Sequence, residues 1–363
     1  MKLVVQIKLL PDAEQAKALL EYMKAFNTAA NHAACVGFSA KVFSQPSIHN
    51  RCYRELRNKF GVSSQTAVRA IGKAVECFSR DKTSCPIFKP HGGVTYDQRT
   101  FSFKGIDKVS LLTMAGRIIV PFVFGEYQRG KLHHLRGQAD LVYRDGQFYL
   151  YCTAEIPEDP AVAATDFLGI DLGIVNLATD STGEMFSGKL VDRNRRRRQT
   201  ARKQHQRKGT KGARRKLKRM SGRQARFQKA VNHAISKRLV SKAKTLGCGI
   251  ALEDLSGIRG RIEATVSRAF RRRFGNWSFN HLRQCIAYKA KLYGVPLVMV
   301  DPRNTSRTCS ACGHCEKANR QSQAKFLCKQ CGFSENADFN AAKNISSLGA
   351  SCKLPSKVAA LSQ

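Results

Sequence analysis

The segment LGIDLG at 168–173 sets Asp171 inside an apolar, strand-forming run, in a chain with 63 Lys and Arg against 26 Asp and Glu. A carboxylate on a core strand is costly unless something pairs with it. Other acids occupy comparable places downstream. They are Glu253 or its neighbour Asp254 in CGIALEDLSG, Asp301 after VPLVMV, and Asp338 at the start of a helix-forming stretch, DFNAAKNISSL. Converging carboxylates suit two-metal hydrolysis of phosphodiesters, with two Mg2+ ions held ~4 Å apart, one activating water and one stabilising the leaving oxygen. Mg2+ prefers hard oxygen ligands and keeps some of its waters, so two or three carboxylates with substrate phosphate suffice. Alternation along the strand does not separate Glu253 from Asp254. Asp180, at a turn, reads as structural.

A second chemistry is written in TSRTCSACGHCEKANRQSQAKFLCKQCGF. Cys309, Cys312, Cys328 and Cys331 follow the pattern C-x2-C, fifteen residues, C-x2-C. Each Cys-x-x-Cys turn supplies two thiolates to one tetrahedral ion, which is the pattern of a zinc ribbon. Gly313 and Gly332 follow the second cysteine of each pair, where a tight turn is wanted. His314 and Cys315 stand as substitute ligands. Four thiolates leave no open position for a substrate, so one Zn2+ here is expected to be structural. The remaining cysteines, Cys285 among them, read as ordinary thiols.

These residues need elements to hold them. VVQIKLL alternates as a strand, and Pro11-Asp12 then marks a turn into a helix, AEQAKALLEYMKAFNTAANHAACVGF. IHNRCYRELRNKF is predicted as a second helix ending at Gly61, and a third begins at Ser63-Ser64. Between about 100 and 155 the pattern changes to short strands, with Asp145-Gly146 as a hairpin turn. Around Asp171 come two further strands, VNLATDS and one near GEMFSG. CGIALED and VPLVMVDP are predicted as buried strands. SFNHLRQCIAYKAKLYG is predicted as an amphipathic helix with Phe279, Leu282, Ile286, Ala290 and Tyr293 on one face and Gly294 as its stop. A three-strand meander followed by alternating helices and strands is the plan of ribonuclease-H-like nucleases.

The composition narrows the partners. The formal charge is +37, and 42% hydrophobic content is enough for folded cores, so two or three domains are expected. Polyphosphate is the usual counterpart of such charge, because each neutralised phosphate releases counterions. From Arg193 to Lys229 there are 18 Lys and Arg and no acid. Without acids there are no i,i+4 pairs to steady a helix, so helices ordered against phosphate are expected. No segment approaches ~18 uninterrupted apolar residues, so no membrane span is expected. Nor does MKLVVQIKLLPDAEQ read as a signal peptide. Thirteen cysteines, an odd count, without a secretion signal point to a reducing, cytoplasmic setting.

Taken together, GIDLGI at 169–174, ALEDLSG at 251–257, DPRNTSRTCSACG at 301–313 and FLCKQCGFSENADFNAAKNI at 326–345 resemble the TnpB (OrfB) family encoded by insertion sequences, relatives of the type V CRISPR effector nucleases. The resemblance implies an α+β multidomain fold with a RuvC-like nuclease domain at 166–304 and 333–348, including a basic helical segment at 192–245. A zinc ribbon would be inserted at 305–332. A wedge β-barrel would use 1–10 and 96–160, with a helical recognition domain at 11–95 and a flexible tail at 349–363. The resemblance also implies that Asp171, Glu253 and Asp338, rather than Asp254 or Asp301, are the catalytic acids holding two Mg2+ ions. The implied activity is guided cleavage of double-stranded DNA next to a short motif, using an RNA transcribed from the element's end. Base pairing would then read sequence while the protein reads shape. A monomer on the RNA is expected, with a dimer as the alternative. Other activities consistent with the chain are a nuclease-inactive guided repressor and a transposon accessory DNA-binding protein.

Overall fold

Asp12 begins the first helix by a capping box: its side chain accepts from the Gln15 N–H, while the Gln15 side chain accepts from the Asp12 N–H. The computed structural model describes residues 1–255 and 279–352, so the basic connection with Trp277 and the last part of the predicted tail lie outside the described residues. The chain divides into two units, Met1–Pro157 and Glu158–Gln363.

In the first unit, β1 (Lys2–Leu9) leads into α1 (Ala13–Ser39), α2 (Gln45–Phe60) and α3 (Ser64–Phe78). Ser63 caps α3 and Gly61, at φ 62°, ends α2, as the sequence predicts. Helix α2 starts earlier than predicted because Ser44 caps it and Pro46 fits its first turn. The strands β2 (Val94–Tyr96), β3 (Phe101–Lys104), β4 (Lys108–Thr113) and β5 (Gly116–Val123) follow. After a short turn of helix, α4 (Glu126–Arg129), come β6 (Leu135–Arg144) and β7 (Gln147–Glu155). Asp145 and Gly146 join β6 to β7 with φ of 52° and 77°, as a type I′ turn requires. The expected barrel takes the form of a seven-stranded sheet in the order β2-β6-β7-β1-β5-β4-β3, with β2 and β3 at its edges. Its alternating residues (Phe148, Leu150, Cys152 and Ala154 on β7) share one core with Leu19, Met23 and Phe26 of α1.

The second unit is built on β8 (Phe167–Asp171), β9 (Asn176–Asp180), β10 (Met185–Ser187), β11 (Gly249–Glu253) and β12 (Leu297–Val300). Their order is β10-β9-β8-β11-β12, with β10-β9-β8 antiparallel and β8-β11-β12 parallel. Between β10 and β11 run α5 (Lys189–Lys208) and α6 (Lys211–Leu246), so the basic segment starts a turn earlier than expected. Gly209, at φ 63°, and the Thr210 cap separate the two helices. Helix α7 (Phe279–Leu292) precedes β12, and α8 (Ala337–Ser351) closes the described chain. Two predicted details change. Tyr293 falls after the last turn of α7 and is 37% exposed, so it leaves the buried face. Strand β12 is the sheet edge and Met299 faces outward, so it is buried on one side only.

The cysteine module carries its own two strands, β13 (Lys325–Leu327) and β14 (Ser334–Asn336), paired antiparallel. This hairpin runs past residue 332, the predicted end of the insert. Likewise α8 continues through Ser351, so the first residues of the predicted tail are helical.

Candidate nuclease and metal site

Asp171 ends β8, and the last register pair between β8 and β11 is Ile170 with Leu252. One residue further, Glu253 stands beside Asp171 at the carboxyl ends of two parallel strands, where α/β sheets commonly bind ligands. Asp338 arrives on the first turn of α8, whose N-terminus is capped by Asn336 Oδ1 accepting from the N–H of Asp338 and Phe339. A helix N-terminus favours a negative charge there.

What brings α8 so close is glycine. A Cβ on Gly169 would lie 2.1 Å from the Ala342 carbonyl oxygen and 2.3 Å from the Ser346 nitrogen. A Cβ on Gly349 would lie 2.6 Å from that of Ala251 on β11. Bare backbone at both points lets the helix lie flat on β8 and β11, and Ser346 Oγ donates to the Phe167 carbonyl at 2.5 Å.

The Asp171 carboxylate senses the other two. Burial first, then the charges of Glu253 and Asp338, push the Asp171 carboxyl well above the ordinary carboxylate range, against the pull of Arg320. Glu253 is also raised by burial, opposed by a hydrogen bond from Thr305 and by Arg320. Thr305 Oγ1 donates to Glu253 Oε1 at 2.5 Å. Asn176 Nδ2 donates to Asp338 Oδ2 at 3.0 Å, and Arg320 Nη2 to Asp338 Oδ1 at 3.3 Å. The Asp171 carboxylate accepts no hydrogen bond from any described residue. Its strand partner Thr179 has a buried Oγ1 that likewise has no partner among the described residues. An under-satisfied carboxylate, two further carboxylates and an orphaned hydroxyl supply oxygen donors of the kind that hard divalent cations take.

The other acids separate from this group. Asp254 turns to Arg283 at 3.5 Å and is half exposed, and Asp301 pairs with Arg303 and is 62% exposed. Asp180 is fully buried and serves a turn. It accepts from Lys242 at 2.5 Å, from Thr182 Oγ1 at 2.7 Å, and from the N–H of Thr182 and Glu184. Thr305, Asn176 and Arg320 are additions the sequence does not announce, since each reaches its acid across many residues with no periodic signal.

In the cysteine module, Cys309, Cys312, Cys328 and Cys331 offer sulfur atoms all within 4.8 Å of one another. The acids are spread more widely and form no such cluster among the described residues. Cys309 and Cys331 sulfurs are 3.7 Å apart, and Cys312 and Cys328 sulfurs 3.6 Å. Disulfide sulfurs would be ~2.05 Å apart. Ligands of a tetrahedral zinc at ~2.3 Å from each sulfur are ~3.8 Å apart. The spacing therefore suits a metal such as zinc. Two equivalent turns build the site. Gly313 N–H donates to the Cys309 carbonyl and Gly332 N–H to the Cys328 carbonyl, with both glycines at positive φ, 78° and 72°. Backbone N–H groups of Cys331 and Gln330 pull the Cys328 thiol down to about 6. The cluster of ligand atoms includes neither His314, which pairs with Glu316, nor Cys315.

The positive charge is concentrated on the α5–α6 hairpin. In 189–246 the single acid is Asp192. Helix α5 buries none of its residues, whereas α6 buries Ile235, Leu239, Val240 and Ala243 of its second half against the sheet. The α5–α6 hairpin thus offers a basic surface rooted on the core by one end. Among the described residues no helix is long and apolar enough to cross a membrane.

Comparison with known proteins agrees with this architecture. The OrfB_IS605 model, described as a probable transposase, matches residues 150–256, and the TNB domain of Cas12f1-like proteins matches 279–345. The CRISPR-associated endodeoxyribonuclease Cas12f1 of Sulfoacidibacillus thermotolerans is 30% identical over 259 residues, 66% of this chain and 58% of that protein. The chain therefore spans less than two thirds of that relative's length. The putative RNA-guided DNA endonuclease InsQ of Escherichia coli is 28% identical, covering 78% of this chain and 73% of its own. A solved structure of the mini-RNA-guided endonuclease CRISPR-Cas phi3 has the same fold with a TM-score of 0.57 at 10% identity, over 96% of this chain and 92% of that one. Its two matching domain models, its relatives and the order of its motifs make the chain similar to TnpB (OrfB) proteins and to Cas12f1 over most of its length.

Proposed function

We propose that the chain is an RNA-guided DNA endonuclease encoded by a transposable element, cutting double-stranded DNA beside a short target-adjacent motif. The observation that carries this reading is the placing of Asp171 and Glu253 at the ends of paired parallel strands, with Asp338 on the helix packed against them, in a chain of net charge +37. The sheet order supports a RuvC-like, ribonuclease-H-like domain, because its antiparallel meander is extended by parallel strands across helices. The names of the relatives support RNA guidance and DNA cleavage.

Asp171, Glu253 and Asp338 would hold two Mg2+ ions, which when bound supply an activated water and charge stabilisation for the leaving oxygen. The chain's own part is to orient. Thr305 fixes the Glu253 carboxylate, Asn176 fixes Asp338, and α8 sets the distance of Asp338 from β8. Arg320 offsets the clustered negative charge and stands where a substrate phosphate would also be met. The four-cysteine module would hold one structural Zn2+ and carry Arg320 toward the acids. The basic α5–α6 hairpin would track the nucleic-acid backbone, and the first unit would grip the RNA scaffold and the guide–target duplex.

Sequencing the RNA that copurifies with the chain from its natural host tests this reading. The expected result is an RNA from the element's end, whose variable part directs cutting of matching duplex DNA. RNA-free protein that cuts DNA equally well contradicts it.

A further inference from the structure

A second set of metal-ligating side chains lies between α6 and α7. His233, His281 and Cys285 bring one ligand atom each within 4.8 Å of one another. The Cys285 sulfur is 3.7 Å from His233 Nδ1 and 3.8 Å from either nitrogen of His281. A tetrahedral zinc with Zn–S of ~2.3 Å and Zn–N of ~2.0–2.1 Å separates its sulfur and nitrogen ligands by ~3.6 Å. The three groups therefore stand close to ligand spacing.

The surrounding contacts support the same reading. His281 and Cys285 are four apart on one helix, so they share a face, and the neighbouring α6 supplies the third group. Asn232 Nδ2 lies 2.9 Å from His281 Nδ1, and Gln228 Nε2 donates to Asn232 Oδ1 at 3.3 Å. Metal binding through Nε2 requires the Asn232 and Gln228 amides to turn over together, so that the Asn232 oxygen accepts the Nδ1 proton as the outer partners of metal-bound histidines do. Lys289, the next residue on the same face, donates to the His233 carbonyl at 2.6 Å and to Ser236 Oγ at 2.5 Å, and so leaves the ligand atoms free of its ammonium. Tyr288, whose hydroxyl is 3.3 Å from His233 Nδ1, would have to yield that nitrogen. The positive charge of Lys289 acts against a bound cation, and a Cys285 thiolate is what offsets it. Cys285 is buried, His281 half-buried and His233 exposed, so solvent reaches the rim of the site.

We propose that His233, His281 and Cys285 form a second transition-metal site, with Zn2+ as the natural occupant and water as the fourth ligand. Two imidazoles with one thiolate suit zinc by softness and by coordination number. Its effect is to pin α6 to α7, the helices packed on one side of the sheet that ends in Glu253.

The test is zinc content of the full chain by elemental analysis after dialysis, followed by Co2+ substitution. Wild type should hold about two metals per chain, and Cys309→Ser with Cys328→Ser should hold about one. His233 is exposed, so His233→Ala should leave the fold intact while removing about one equivalent. With Co2+, that variant should lose a thiolate charge-transfer band of single-sulfur intensity and keep the bands of the four-cysteine site. Metal content and cobalt spectra unchanged between wild type and His233→Ala overturn the proposal.

Discussion

Burial and the charges of Glu253 and Asp338 act together against an ionised Asp171, and the Arg320 guanidinium offsets them in part. A side chain held against such opposition is stabilised by removing its charge or by supplying a cation. Asp171→Asn should therefore raise the melting midpoint in chelator by roughly 2–4 °C, the shift that about 1 kcal/mol gives in a domain of this size. Mg2+ should raise the midpoint of wild type and leave the variant nearly unmoved, a comparison that differential scanning fluorimetry reads directly. The positions of Asp171 and Glu253 in apolar runs, and of Asp338 at the start of a helix-forming stretch, were legible in the sequence. Local pattern could not choose between Glu253 and Asp254, because the two are adjacent and only the register with β8 and the Arg283 contact separate them. Thr305, Asn176 and Arg320 were not legible, since their partners lie 52, 162 and 18 residues away. His281 and Cys285 carried an i,i+4 signal, but the helix alone does not announce His233 opposite them.

Helix α8 rests on β8 through Gly169, so the distance between Asp338 and Asp171 depends on a missing side chain. Gly169→Ala forces backbone against backbone, and overpacking of this kind costs about 3 kcal/mol or more. The variant should melt well below wild type and lose Mg2+-dependent stabilisation even though every acid is present. Equal melting and equal Mg2+ response would show that α8 is not set by this contact. The turn between β9 and β10 is fastened to α6 in a different way. Burial alone would raise Asp180, yet hydrogen bonds from Lys242, Thr182 and the backbone bring its carboxyl below the usual range. Lys242 lowers Glu184 as well. Folded pKa values below the unfolded ones mean that this stability is complete above the unfolded carboxylate range near ~4 and is lost as pH falls below it. Lys242→Met should destabilise by roughly 3 kcal/mol at neutral pH, the penalty for leaving a buried charge unpaired. In urea titrations across pH, the difference from wild type should shrink toward pH ~3; a pH-independent difference contradicts the assignment. Helix caps and the Asp145-Gly146 turn were readable because their residue types act locally. Strand β2 was missed, since three residues carry too little alternation, and the outward side of β12 became visible only once it proved to be the sheet edge.

Charge is the property that belongs to the chain as a whole. Helix α5 and the first half of α6 have little core to rest on and almost no acids to pair with, so polyphosphate is what should order them. Binding of RNA should weaken steeply with salt. Arg197→Gln with Lys203→Gln should reduce the slope of log K against log salt by about 0.7–0.9 for each phosphate that is no longer neutralised. An unchanged slope would place the nucleic acid elsewhere. The family motifs made much of the second unit readable, because metal chemistry restricts residue type and spacing together. The first unit was readable as helices and strands but not as a role, since packing there constrains polarity and little else. Everything functional returns to the acids. The most direct measurement is Mg2+-dependent cleavage of guide-matched duplex DNA by wild type and Asp171→Asn, with DNA binding measured on the same preparations. Equal binding with cleavage reduced at least about a thousandfold, ~4 kcal/mol in the barrier, is the predicted result. Cleavage by the variant within tenfold of wild type, or undiminished cleavage by wild type in chelator, would contradict it.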